Sequence, residues 1–185
     1  MNYTKTDPKG IDYEVQKLQS YLYNRVLAKW GLSESVVDFY GRVYREKRVN
    51  GFVPVAYVGS NEYSEVLFND TKAVTAFFEV GETITSADTK KIANVSLNMC
   101  VNLSLIEQFN QTSERMDEEA RNDIEQWVDR QYDYFLGKTV IGSQAVLSKY
   151  DGTIKELAAK MTMHPYLIFR LDGQLSNYYI TFNNI

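Results

Sequence analysis

Residues 92 to 106, IANVSLNMCVNLSLI, alternate apolar with small or polar side chains: Ala93, Val95, Leu97, Met99, Val101, Leu103 and Leu105 fall on one register, and Asn94, Ser96, Asn98, Cys100, Asn102 and Ser104 on the other. A period of two predicts a β-strand with one dry face and one polar face. At about 3.4 Å per residue it is roughly 45 to 50 Å long, against a diameter near ~40 Å for a compact chain of this size. Such a strand crosses the whole width of a domain, and any stretch of its edge left unpaired invites another chain. On this register a charge at Leu97 or Leu103 unfolds the protein, whereas Asn98→Asp or Asn102→Asp leaves the monomer folded.

On either side the apolar spacing changes to three and four. Ile11, Val15, Leu18, Leu22, Val26 and Trp30 predict an amphipathic helix over about 12–30, closed by Gly31. Met116, Ala120, Ile124, Trp127, Val128, Gln131 and Phe135 predict a second long helix over about 113–136. Thr112 or Ser113 is its N-cap, the acids Glu114, Asp117, Glu118 and Glu119 lie near its positive end, and Gly137 closes it. Residues 32–41 read as one more helical turn or a loop.

From Arg42 the texture becomes β. RVYREKRV, FVPVAYVG and EYSEVLFND read as strands, the last two joined at Gly59-Ser60-Asn61. Pro54 cannot donate to a ladder, so its strand is an edge or begins there. AVTAFFEVGE supplies a further strand and ITSADTKK a polar turn. Residues 138–163 form a looser insertion, in which Thr153 and Glu156 have capping-box spacing for a short helix through about Met161. YLIFRL, Asp172-Gly173 and QLSNYYITF predict a closing hairpin over 166–182 with a type I′ turn. With local hairpins and no βαβ alternation, the chain reads as a single α+β domain over 1–185. Its mostly antiparallel sheet, about 42–106 plus the hairpin, carries the long amphipathic strand and is flanked by two long helices.

Several chemistries are disfavoured. A single cysteine, Cys100, and a single histidine, His164, make neither a disulfide nor a zinc site without carboxylates. As a nucleophile–base pair they are less convincing than as a small strand side chain and a helix-terminal imidazole. Asp117, Glu118, Glu119 and Asp123 read as a solvated helix start rather than a magnesium site. Neither phosphate-binding glycine pattern occurs among the 10 glycines, which disfavours nucleotide hydrolysis, and because each of these chemistries needs a residue set the sequence lacks, no cofactor and no enzymatic activity is expected. The net charge of −4 argues against a dedicated nucleic-acid binder. The absence of an apolar N-terminal segment or an apolar run of ~18 residues leads us to expect a non-secreted chain with no membrane partner. Arg42, Arg45, Lys47 and Arg48, with Tyr40 and Tyr44 interleaved, form the one dense basic cluster and the candidate contact surface. The plainer alternative is a strand edge protected by charge.

An N-terminal helix running into FYGRVYREKRVNGFVPVAYVGSNEYSEVLFND, then the alternating strand, the acidic helix and a closing hairpin, resembles the neck and tail-completion ring proteins of tailed bacteriophages, tail terminators included. The Asn- and Tyr-rich texture is similar to virion ring proteins of crAss-like phages. The resemblance implies a homo-oligomeric ring in the head–tail connector, neck or tail. Its partners would be its own copies and other neck, portal-proximal or tail proteins, with packaged DNA close by. It implies a virion location after assembly in the host cytoplasm, and it brings no catalytic residues. Residues 138–163 depart from the smallest tail terminators. A monomeric or dimeric ligand-binding α+β domain with a pocket on a curved sheet is the alternative, and a metal-free hydrolase a weaker one.

Overall fold

A computed structural model describes residues 1–66, 69–87, 90–110, 116–131, 133–150, 159 and 161–176. The elements run β1 (Asn2–Tyr3), α1 (Ile11–Trp30), β2 (Val37–Arg48), β3 (Gly51–Gly59), β4 (Glu62–Glu65), β5 (Val74–Ala87), β6 (Lys90–Asn102), α2 (Asp117–Asp129), β7 (Tyr134–Ile141), α3 (Ser143–Leu147) and β8 (Tyr166–Leu175). All eight strands join one sheet in the order β4-β3-β2-β5-β6-β8-β7, with β1 beside β2. The β1–β2 and β2–β5 pairs are parallel and the others antiparallel, so the fold is α+β on a mixed, mostly antiparallel sheet.

The apolar stripe of α1 lies against one face of the sheet, and Gly31 closes the helix in the left-handed region at φ 65°. Beside it α2 adds Ile124, Trp127 and Val128 over Leu97, Met99 and Phe169. The Trp30 and Trp127 rings lie 5.7 Å apart, and the Trp30 indole N–H donates to Asp123 at 3.0 Å. A second cluster covers part of the opposite face, where Val146, Leu147, Tyr150 and Met161 pack on Tyr40, Phe77, Cys100 and Ile168.

That second layer corrects the reading of β6. The strand ends at Asn102, and Leu103–Leu105 form a 3-10 turn. The alternation of exposure survives at Ala93, Asn94 and Val95, but from Leu97 to Asn102 both faces are covered. Asn98 is 1% exposed and neither polar atom of its amide has a hydrogen-bond partner among the described residues, so it does not sit on a polar face. The buried Asn102 accepts from the Ser104 N–H at 3.2 Å and hydroxyl at 2.6 Å, and donates to the Asp70 carbonyl at 3.2 Å.

Other boundaries move for tertiary reasons. Residues 32–41 hold a 3-10 turn at Glu34–Val36 and then the start of β2, which begins at Val37 rather than at 42, and the sheet also takes in β1 at Asn2–Tyr3. The polar ITSA segment belongs to β5, which runs on past a bulge between Val80 and Ile84. The expected 113–136 helix is shorter: α2 stops at Asp129, and Tyr134–Ile141 is strand. YFLGKTVI carries β-branched residues on a pleat, and pairing with β8 overrides the helical spacing of Gln131 and Phe135. The tract expected as an insertion supplies the end of β7 and then α3.

Asp172-Gly173 is not a turn, because β8 continues to Leu175, between β6 and β7. Gly173 lies under Tyr134, whose hydroxyl donates to the carbonyls of Val95 at 3.2 Å and Leu171 at 3.0 Å. A Cβ at 173 would stand 2.5 Å from both Tyr134 Cζ and the Phe135 carbonyl oxygen, so this glycine serves a close approach within a strand. Pro54 also departs from expectation, in a strand flanked by both β2 and β4. Its carbonyl accepts from Val66 N–H just beyond the end of β4, and its ring nitrogen faces that same side, where no ladder donor is required. The hairpin at Gly59-Ser60-Asn61 is present, with Ser60 and Asn61 at φ 50° and 61°. Thr112, Ser113, Glu114, the 153–156 capping box and residues 177–182 lie outside the described residues.

Candidate functional site

β2 changes partner halfway along. Residues Val37 to Arg42 run beside β5, the last pair being Arg42 with Phe78, whereas Val43 to Arg48 pair with β3 from Ala56 to Gly51. Past Phe78 the two strands part. The β2–β3–β4 arm swings away from the β5–β6 hairpin, and a cleft of about 480 Å³ opens between them, lined among others by Arg45, Glu79, Asn94, Ser96, Lys149 and Tyr150.

The basic cluster lies on this arm, and strand alternation divides it between two faces. On the first, the Arg42 guanidinium lies 4.9 Å from the centre of the Tyr44 ring and 3.8 Å from Asp12. Tyr44 meets Tyr63 edge-on at 6.0 Å, and Arg48 pairs with Glu46 at 3.2 Å and Glu65 at 3.7 Å. This face is aromatic, and its cations are paired with acids. On the second face Arg45 sits 4.4 Å over the Phe52 ring and donates to the Lys149 carbonyl at 3.3 Å. Lys47 stands opposite Phe52 in the register. Among the described residues neither Arg45 nor Lys47 is ion-paired with a carboxylate. Tyr40 leaves the contact surface altogether: it is 7% exposed and stacked on Tyr3 at 4.6 Å, and burial, with Asp38 near, raises its hydroxyl pKa.

Reading the sequence missed the residues beneath the arm. Glu79 of β5 takes an ion pair from Lys149 and a hydrogen bond from the Tyr150 hydroxyl. Next to them Arg170 grips Asp172 through two bonds of 2.8 and 3.0 Å, and the Ser96 hydroxyl donates to the same carboxylate at 2.6 Å. Burial pushes the Asp172 carboxyl up, but the bonds from Arg170 and Ser96 outweigh it and hold the group below its ordinary range. Lys149 moves the other way for its type. Burial first, then the neighbouring Arg170, push its ammonium down to about 8, with Asp172 opposing the shift and Arg45 adding to it.

Cys100 is buried beside Met161, its sulfur 3.9 Å from the thioether, and burial, with Asp70 adding to it, pushes the thiol up to about 12. A thiol so placed is not an activated nucleophile at neutral pH. Among the described residues no group of three or more His, Cys, Asp or Glu side chains could hold a metal ion, and no helix is long and apolar enough to cross a membrane. The arrangement is suited to receiving an anionic group on the Arg45–Lys47 face, with the Glu79–Lys149–Tyr150 cluster as its floor. No protein-family model matches the chain, and neither the curated proteins nor the solved structures include a match to it.

Proposed function

We propose that this chain is a structural protein of a tailed-phage virion, forming a homo-oligomeric ring in the head–tail connector, neck or tail that joins neighbouring rings around the DNA passage. On this reading it needs no cofactor and catalyses no reaction. The observation that supports it is the unlikeness of the two ends of the sheet. One end is the Tyr- and Arg-bearing β2–β3–β4 arm. The other is β7, whose outer edge pairs with no strand among the described residues and whose Phe135 and Ile141 are 73% and 53% exposed. Unlike surfaces at opposite ends favour a head-to-tail contact, and a head-to-tail contact closes into a ring when its rotation divides the circle. An open edge with exposed apolar side chains is itself a template for association.

Mass measurement in solution together with electron microscopy of the purified chain tests this. A closed ring of one copy number is the expected result, and a monomer at every concentration from micromolar to millimolar overturns it. The cleft between β2 and β5 favours a second reading, a monomeric or dimeric domain that binds a small anionic ligand. That reading predicts a monomer or dimer in the same experiment, with saturable ligand binding abolished by Arg45→Glu.

A further inference from the structure

We propose, resting on the ring reading, that the Arg45–Lys47 face and the cleft beside it form the receiving half of the contact between copies, and that they take the acidic first turn of α2 from a second copy of this chain. Glu79 is occupied by Lys149 and Tyr150, and Asp172 by Arg170. The charges this surface offers to a partner are therefore the guanidinium of Arg45 and the ammonium of Lys47, which pair with no carboxylate among the described residues, with the Phe52 ring under Arg45 and opposite Lys47. Arg and aromatic side chains side by side are the composition of an interface core rather than of idle surface.

The complementary surface lies elsewhere on the same molecule. The first turn of α2 carries Asp117, Glu118 and Glu119; Glu118 is exposed but ion-paired with Arg121, and Glu119 is exposed beside it, so the turn keeps a net negative charge. α2 packs on β7 and β8, whereas the arm ends the sheet on the other side, beyond β5. With α1 and the central strands between them, the two surfaces are satisfied only between molecules. A nucleic-acid strand fits less well. The chain carries a net charge of −4, and two such cations release few counterions.

Two reversals test the contact, Arg45→Glu/Lys47→Glu on the receiving side and Glu118→Lys/Glu119→Lys on the entering side. Each is expected to weaken self-association by about tenfold or more through like-charge contact, while circular dichroism melts confirm that the chain remains folded. Mixing the two variants restores assembly, because each supplies the charge the other has lost, and wild-type assembly weakens as salt is raised. Wild-type protein that assembles while both reversals leave its mass unchanged overturns this contact and leaves the ring reading standing. Wild-type protein that never assembles overturns both. Loss of duplex-DNA binding in the Arg45→Glu/Lys47→Glu variant with assembly intact reassigns the face to nucleic acid and also overturns the proposal.

Discussion

Leu97→Asp unfolds the protein, and Asn98→Asp, one position along the same strand, destabilises it by about 2 to 3 kcal/mol instead of being tolerated. Leu97 is fully buried between Phe78 on β5 and Leu171 on β8, so a carboxylate there has neither water nor a partner. Burying an unpaired charge costs several kcal/mol, a large share of the roughly 5 to 15 kcal/mol that holds a domain together. Asn98 is on the opposite face, under the layer formed by α3 and Tyr150. Its register partner Arg170 is the one cation across the pair, already held by Asp172, so a carboxylate at 98 draws only partial compensation. Urea titrations followed by circular dichroism at pH 7 check both variants. The Asn98→Asp deficit should shrink as pH falls, because burial raises the folded-state pKa of the new carboxyl and its penalty grows only above the unfolded value of about 3.9. An Asn98→Asp protein with wild-type stability at pH 7 would show that this half of β6 faces water after all.

Gly173→Ala lowers the melting temperature by about 6 to 12 °C. The methyl group would meet the Phe135 carbonyl oxygen and the Tyr134 ring at 2.5 Å, and one of the two is backbone held in the β7–β8 ladder. Relief requires β7 to shift outward and the Tyr134 hydroxyl to give up its bonds to Val95 and Leu171. Overpacking of this kind costs about 3 kcal/mol, and each kcal/mol moves the midpoint of a chain this size by about 2 to 4 °C. Differential scanning calorimetry reads the shift. A Gly173→Ala protein melting within a degree of wild type would rule out the close approach. If Asp172-Gly173 were instead a type I′ turn, the cost would come from positive φ and would be unaffected by Tyr134→Ala, whereas here the two substitutions are strongly non-additive.

What the sequence shows well is local. The stripe of α1, its glycine cap and the Ser60-Asn61 turn depend on neighbours within a few residues, and they lie where periodicity and turn chemistry place them. What it conceals depends on residues far along the chain. Phe135 continues the α2 spacing, and only the approach of β8 makes its segment a strand. Asn98 and Cys100 look solvent-facing until residues some fifty positions later cover them. The basic cluster is visible as four cations within seven residues, but a pleat divides such a stretch by parity, which separates Arg45 and Lys47, paired with no carboxylate among the described residues, from the ion-paired Arg42 and Arg48. The Glu79–Lys149–Tyr150 cluster joins β5 to the end of α3, and no spacing in the sequence announces it.

The place of β8 sets the order in which the sheet can be completed. β6 and β7 follow one another as strands along the chain but do not pair, because the slot between their backbones is filled by a strand made later. During synthesis the hairpins β3–β4 and β5–β6 can close as soon as they emerge, with short loops and little entropy to lose. β7 has nothing to pair with until Tyr166–Leu175 arrives and zips against both neighbours at once. Insertion of this strand closes the largest sequence separations in the sheet, and a nascent chain halted before it presents two bare strand edges to its surroundings.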